Sequence, residues 1–154
     1  MVGRLAMQKA ADVAKRLDSA LVLGADTVAE CVGKILGKPH NREHAKEMLQ
    51  LLRGRPHSVY TGVCLWSRPG NHMVLDVVRT RLIMDPISDN ELETYLDSGR
   101  WEGKAGAFGY QDGNDWLKVI EGSESNIVGL PLERLGEVLD DFSRLASLVN
   151  PNEV

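Results

Sequence analysis

The sequence predicts an α/β fold, with a mixed sheet and helices packed on it. Three observations point there. Apolar residues recur at three- and four-residue steps in some segments and alternate in others, and the two kinds of segment interleave along the chain. At least one pair of adjacent strand-like segments is joined by a short turn, so the sheet is not a purely parallel array. The 154 residues are 43% hydrophobic and 26% charged, the balance of a soluble domain with a real core. Residues 1–154 therefore read as a single domain, without repeats, low-complexity tracts or a linker.

The elements follow in order. Residues 4–17 read as a helix, with Leu5, Ala6, Lys9, Ala10, Val13, Ala14 and Leu17 at helical spacing. Residues 20–25 read as a short buried strand. Residues 28–36 read as a hairpin turning at Gly33-Lys34, because glycine suits the first position of a tight two-residue turn. Asn41 is placed to cap a helix over 42–52, with Glu43 in its first turn and Ala45, Met48, Leu49 and Leu52 on its apolar face. Residues 57–67 alternate, with Val59, Thr61, Val63 and Leu65 on one side and Tyr60, Cys64 and Trp66 on the other. Pro69-Gly70-Asn71 turns the chain into a second strand over 73–84. Ser88 and Glu91 have capping-box spacing and start a helix that stops at Gly99. Residues 99–115 are glycine-rich without a period, and Trp116–Gly122 reads as a strand. Pro131 opens a last helix with Leu132, Leu135, Leu139, Phe142 and Leu145 on one face, ended by Asn150-Pro151.

Several function classes are disfavoured. A net charge of −4 argues against duplex nucleic acid or an anionic membrane as partner, while a few local lysines still suit a small anion. Cys31 and Cys64 lie in apolar, strand-like stretches and read as buried free thiols of a reducing compartment. No run reaches the ~18 apolar residues of a membrane span, and the first residues lack the apolar core of a signal peptide. The expected location is the cytoplasm. His40 and His44 are four apart, but His40 precedes the expected helix cap and no second pair has zinc spacing. No nucleophile motif surrounds either cysteine, and "EGSESNIVG" lacks G-x-S-x-G.

The chemistry concentrates in "GADTVAECVGKILGKP", residues 24–39. Asp26 is expected at the C-terminal end of an apolar strand, where open α/β sheets bind ligands. A carboxylate there can hold a divalent metal or orient water, or it can simply close a turn. Lys38, in a Gly-Lys-Pro turn, is either a solvated charge or a partner for phosphate. Lys9 shares the stripe of Leu5, Val13 and Leu17, so it must snorkel or meet an anion. In "GKAGAFGYQ" the small residues let a loop lie against a ligand, with Lys104 and Gln111 flanking; Phe108 and Tyr110 argue against a purely solvated loop.

Together, "GADTVAECVGKILGKPHNREHAKEMLQLLRGRPHSVYTGVCLW", "SGRWEGKAGAFGYQ" and "GSESNIVGLPLERL" resemble the Maf family of nucleoside triphosphate pyrophosphatases, in order and over residues 4–140. The resemblance implies an elongated, twisted sheet flanked by helices, two lobes around a cleft, and the fold of inosine triphosphate pyrophosphatases. It implies metal-assisted cleavage between the α- and β-phosphates, with Mg²⁺ or Mn²⁺ as cofactor and a nucleoside triphosphate as substrate; a homodimer that covers an exposed sheet edge is a separate expectation. Asp26 matches the family's proton acceptor and metal-side carboxylate. Lys9, in "AMQKA", and Lys38 match lysines that face phosphates. Thr27 and Gln111 match positions tied to substrate choice, in the manner of the branch acting on dTTP and UTP. Family members carry a strand and an S-x-S-P-R-R phosphate loop ahead of the matching lysine. This sequence starts almost at that lysine, so the expected fold lacks that strand and loop. The alternative expectation is a catalytically impaired protein that binds a nucleotide or a partner.

Overall fold

A computed structural model describes the backbone of residues 1–149 and the side chains of residues 1–144. Its elements are α1 (Val2–Ala14), β1 (Ala20–Cys31), β2 (Lys34–Leu36), α2 (Arg42–Leu52), β3 (Pro56–Arg68), β4 (Met73–Met84), α3 (Asp89–Asp97), β5 (Leu117–Glu121), α4 (Glu124–Val128) and α5 (Leu132–Val149). Two 3₁₀ turns, Ala105–Ala107 and Tyr110–Asp112, shape the loop before β5. The α/β class holds. The expected end of the last helix at Asn150-Pro151 and the side chain of Leu145 lie outside the described residues.

The five strands lie in the order β2-β1-β3-β4-β5, and every neighbouring pair is antiparallel. The expected mixed sheet is corrected to this extent: parallel pairing among the described residues is limited to one isolated bridge, Arg53 to Met84. The reason is topological. β2 and β3 run the same way across the α2 crossover, but β1 lies between them, so the crossover never makes a parallel neighbour.

The expected break after residue 25 is also absent. β1 runs unbroken for 12 residues and pairs with β3 from Ala20↔Arg68 to Glu30↔Ser58. Asp26 is therefore mid-strand, opposite Gly62, and not at a strand end. The hairpin turns one residue earlier than expected. Cys31 pairs with Lys34, and Val32 and Gly33 both have positive φ, the signature of a two-residue turn whose twist matches the strands.

The helices form where capping predicts. The Asn41 side chain accepts from the His44 N–H at 2.8 Å, and Ser88 and Glu91 close a full capping box. The largest core joins α2, α3 and the sheet through Leu49, Leu52, Leu82, Met84, Leu92 and Leu96. α5 covers the far part of the same sheet face with Leu135, Val138 and Phe142 against Leu65 and Val74. Leu132, expected on that apolar face, is exposed.

α1 packs on the opposite face, and only the alanines of the expected stripe are buried there. Its buried residues are Val2, Gly3, Ala6, Ala10 and Ala14, while Val13 and Leu17 are exposed. The helix sits too close to the sheet for anything larger. A Cβ on Gly24 would overlap the Ala6 carbonyl oxygen, and one on Gly62 would overlap the Val2 and Gly3 backbone. Larger apolar groups fall at the helix edge, and so does Lys9.

Candidate active site

β2 pairs only with residues 29–31 of β1, so residues 20–28 present an edge without a partner strand among the described residues. A cavity of about 340 Å³ wraps around this edge. Because it straddles the edge, Ala25, Asp26 and Thr27 all line it, although successive strand residues face opposite ways. α1 contributes Lys9, the turn after β2 contributes Lys38, the glycine-rich loop contributes Gln111, and α4 with its C-terminal turn contributes Ile127 to Gly129. All five side chains singled out from sequence, Lys9, Asp26, Thr27, Lys38 and Gln111, thus meet at one cavity.

The turn and the loop that carry Lys38 and Gln111 are fastened to each other. The Gly106 N–H donates to the Gly37 carbonyl at 3.0 Å. Gly106 has a φ of 71°, and a Cβ there would press on Ala29 and the Phe108 ring. Glycine is needed at this point for both the turn and the close approach.

Two lysine–aspartate pairs line the cavity. Lys9 Nζ donates to Asp26 Oδ1 at 2.7 Å and to the Ala25 carbonyl at 3.1 Å. The Asp26 side chain is 17% exposed and that of Lys9 is 57% exposed. Lys104 Nζ donates to both Asp112 oxygens, at 2.7 and 2.6 Å. The Tyr95 hydroxyl donates to Asp112 Oδ2 at 3.1 Å and accepts from the Gly109 N–H. Burial, and then the Asp112 charge, push the Tyr95 phenol well above its ordinary value, so it remains a donor. Lys104, expected to flank a ligand, is thus committed to holding the loop. Lys38 is exposed and has no carboxylate partner among the described residues.

Sequence reading missed three contributors. Asp112 lies one residue past the quoted loop motif. Thr61 looked like one residue of an alternating strand, yet its Oγ1 lies 2.9 Å from Thr27 Oγ1. α4 was read as a serine context and as part of a motif carrying the resemblance, not as a helix, and its buried Asn126 ties that helix to the sheet, with Nδ2 donating to the Val59 and Val78 carbonyls and to Thr80 Oγ1. The usable signal for α4 was Ser123, which caps it by accepting from the Asn126 N–H, and Gly129, which ends it in the left-handed region.

The family model for "Maf-like protein" matches residues 1–142 of the chain. The chain belongs to the Maf family. Among curated relatives, a dTTP/UTP pyrophosphatase of Rhodopirellula baltica is 66% identical over 150 residues, covering 97% of this chain and 66% of its own length. Relatives named dTTP/UTP pyrophosphatase from Pelotomaculum thermopropionicum and Geotalea uraniireducens are 43% and 40% identical, covering 92% and 96% of this chain and 75% of each relative. The chain thus spans from about two thirds to three quarters of the length of these relatives.

Buried thiols also match expectation. Cys31 and Cys64 are free, and burial raises both above the ordinary thiol value, which keeps them unreactive.

Proposed function

We propose that this Maf protein hydrolyses the α–β phosphoanhydride of dTTP, UTP or related nucleotides to a monophosphate and pyrophosphate. The observation that carries the reading is the meeting of Asp26, Lys9 and Lys38 at one cavity, beside Thr27 and Gln111. The names of the relatives favour a hydrolase over a protein that only binds.

In this reading the polyphosphate lies along Lys9 and Lys38. Asp26 accepts a proton from the attacking water as its oxygen bonds to phosphorus. The bond to the bridging oxygen breaks, and pyrophosphate leaves with its charge met by the lysines. No covalent intermediate is needed in this scheme, because water attacks the phosphorus directly. Thr27 and Gln111 contact the base or place the nucleotide.

A divalent metal belongs to the same proposal. No cluster of three His, Cys, Asp or Glu side chains is present among the described residues. Both Asp112 oxygens are engaged by Lys104 and Tyr95, whereas Lys9 meets only Oδ1 of Asp26, so Asp26 is the carboxylate better placed to offer an oxygen. That fits Mg²⁺ or Mn²⁺, which are often held by one or two carboxylates plus phosphate oxygens. When bound, the metal would neutralise phosphate charge.

The test is pyrophosphate release from dTTP and UTP with Mg²⁺, for the chain and for Asp26→Asn. The reading requires release by the first and its loss in the second. Two companion proposals are a homodimer, for which exposed Leu21 and Leu23 on β1 offer apolar surface, and a cytoplasmic location, consistent with the two free thiols. No helix among the described residues is long and apolar enough to cross a membrane.

A further inference from the structure

Thr27 reaches the cavity with its hydroxyl in contact with a second, wholly buried hydroxyl, and the direction of the protons between them has consequences for what can bind. Thr61 Oγ1 lies 3.1 Å from the Asn126 carbonyl oxygen and 2.9 Å from Thr27 Oγ1. Thr61 is 0% exposed, so no water completes its hydrogen bonding from outside. A carbonyl has no proton to give. The short Thr61–Asn126 contact is attractive only if the single Thr61 proton lies in it; without that proton two oxygens would face each other lone pair to lone pair. Thr61 must then accept from Thr27, and the Thr27 proton is used as well. What Thr27 turns toward the cavity is lone pairs.

The polarity is held from behind. Asn126 is 0% exposed, its backbone carbonyl lies in the short helix α4, and its Nδ2 binds the Val59 and Val78 carbonyls and Thr80 Oγ1. The Asn126 carbonyl therefore cannot swing away from Thr61. In front, Gly129 has no side chain, and even a Cβ there would stand only 3.5 Å from Thr27 Oγ1, so the glycine keeps this acceptor open to a ligand.

We propose that Thr61 is a positioning residue that makes Thr27 an obligate hydrogen-bond acceptor, so that the cavity selects a pyrimidine whose ring nitrogen N3 carries a proton. Resting on the pyrophosphatase reading, this deepens it at the level of the base. Uracil and thymine carry a proton on N3. Cytosine carries a lone pair there, which would meet the Thr27 lone pairs and leave both groups unpaired. Selection thus comes from refusing the wrong polarity as much as from binding the right one.

The test uses binding in the presence of a chelator, so that turnover does not intervene. Affinities for UTP, CTP and N3-methyl-UTP are measured by calorimetry for the unaltered chain, Thr61→Val and Thr61→Ser. Valine keeps the shape of threonine but can neither accept from Thr27 nor donate to Asn126, so the Thr27 hydroxyl becomes free to donate into the cavity. The unaltered chain should bind UTP roughly tenfold or more tighter than CTP, and N3-methyl-UTP should bind as weakly as CTP. Thr61→Val should bring the UTP-to-CTP ratio close to one while both nucleotides still bind, and Thr61→Ser should restore it. A Thr61→Val protein with the original ratio overturns the proposal. So does N3-methyl-UTP binding as well as UTP to the unaltered chain, a measurement that stands even if the valine variant does not fold. Failure to bind any nucleotide overturns it too. Absence of pyrophosphate release with Mg²⁺, alongside the expected binding ratios, would count against the proposed reaction and leave the role of Thr61 intact.

Discussion

The two lysine–aspartate pairs of the cavity use the same chemical groups and are built for opposite ends. In Lys104–Asp112 the ammonium meets both carboxylate oxygens, a tyrosine adds a third donor, and the aspartate side chain is 14% exposed. Both oxygens of Asp112 are engaged by side-chain donors, so a ligand has less to gain from it than from Asp26. In Lys9–Asp26 the ammonium meets one oxygen, and more than half of the lysine side chain faces water. That pair can open. A phosphate can take the lysine while the freed carboxylate turns to water or metal. Saturation, and not the identity of the residues, separates the pair that shapes the loop from the pair suited to chemistry.

Substitutions should split along this line. The largest effect is expected from Asp26→Asn, which preserves shape and removes the proton acceptor. Pyrophosphate release should fall by roughly 10²- to 10⁴-fold, with the melting temperature nearly unchanged. A large drop in melting temperature would place Asp26 with the structural pair. Lys9→Met should follow, lowering kcat/KM by roughly 10²-fold through lost phosphate neutralisation, while altering stability by only about 0–1 kcal/mol, as for an exposed pair. Steady-state kinetics beside a urea titration reads both numbers.

Asp112→Asn should show the reverse pattern. Lys104 and Tyr95 keep a neutral partner of the same size but lose the charge, at a cost of about 1–3 kcal/mol. Gln111 adjoins Asp112, so KM should rise more than kcat falls. Equal losses of kcat with unchanged stability would show that this pair also acts in the chemical step. The smallest effect concerns pH. His57 is 4% exposed and its Nε2 has no hydrogen-bond partner. Burial lowers its imidazole below the ordinary value, against smaller opposing effects of the Arg55 carbonyl and Glu30. The unfolded chain therefore binds the proton more tightly than the folded one. The stability contribution is fully present above the unfolded value of about 6.5 and is lost as pH falls through the folded value, at up to about 1.4 kcal/mol per pH unit. Thr27 and Gln111 at the cavity do not titrate, so His57→Phe should flatten that acid limb without changing nucleotide preference.

Most of the secondary structure was legible because it is local. Asn41, Ser88 and Glu91 satisfy backbone N–H groups a few residues away, and spacing alone exposes that. The continuity of β1 was not legible. Gly24 and Asp26 read as the end of a strand, yet the long register with β3 carries the chain straight through them. The α1 stripe was legible only in part for a related reason: its alanines are buried, while Val13 and Leu17 are exposed. Helical spacing identifies faces, but which face is buried depended on two glycines in other strands that admit only alanine-sized contacts. In the site, Lys9, Asp26 and Lys38 were legible from motifs, and they line one cavity. Thr61 escaped because an inward threonine on an alternating strand looks like packing, and its hydroxyl gains meaning only from Thr27 and Asn126, which are distant in sequence.

The tight seat of α1 on Gly24 and Gly62 turns two residues without chemistry into a gauge for charge placement. Lys9 reaches Asp26 from a helix whose height above the sheet is set by the absence of two Cβ atoms. Enlarging either glycine would lift the helix and withdraw the ammonium, so a screen scored on turnover would rank Gly24 and Gly62 beside Asp26 although neither supplies a functional group. Laboratory evolution of this protein would find its spacing, more than its charges, the hardest property to vary.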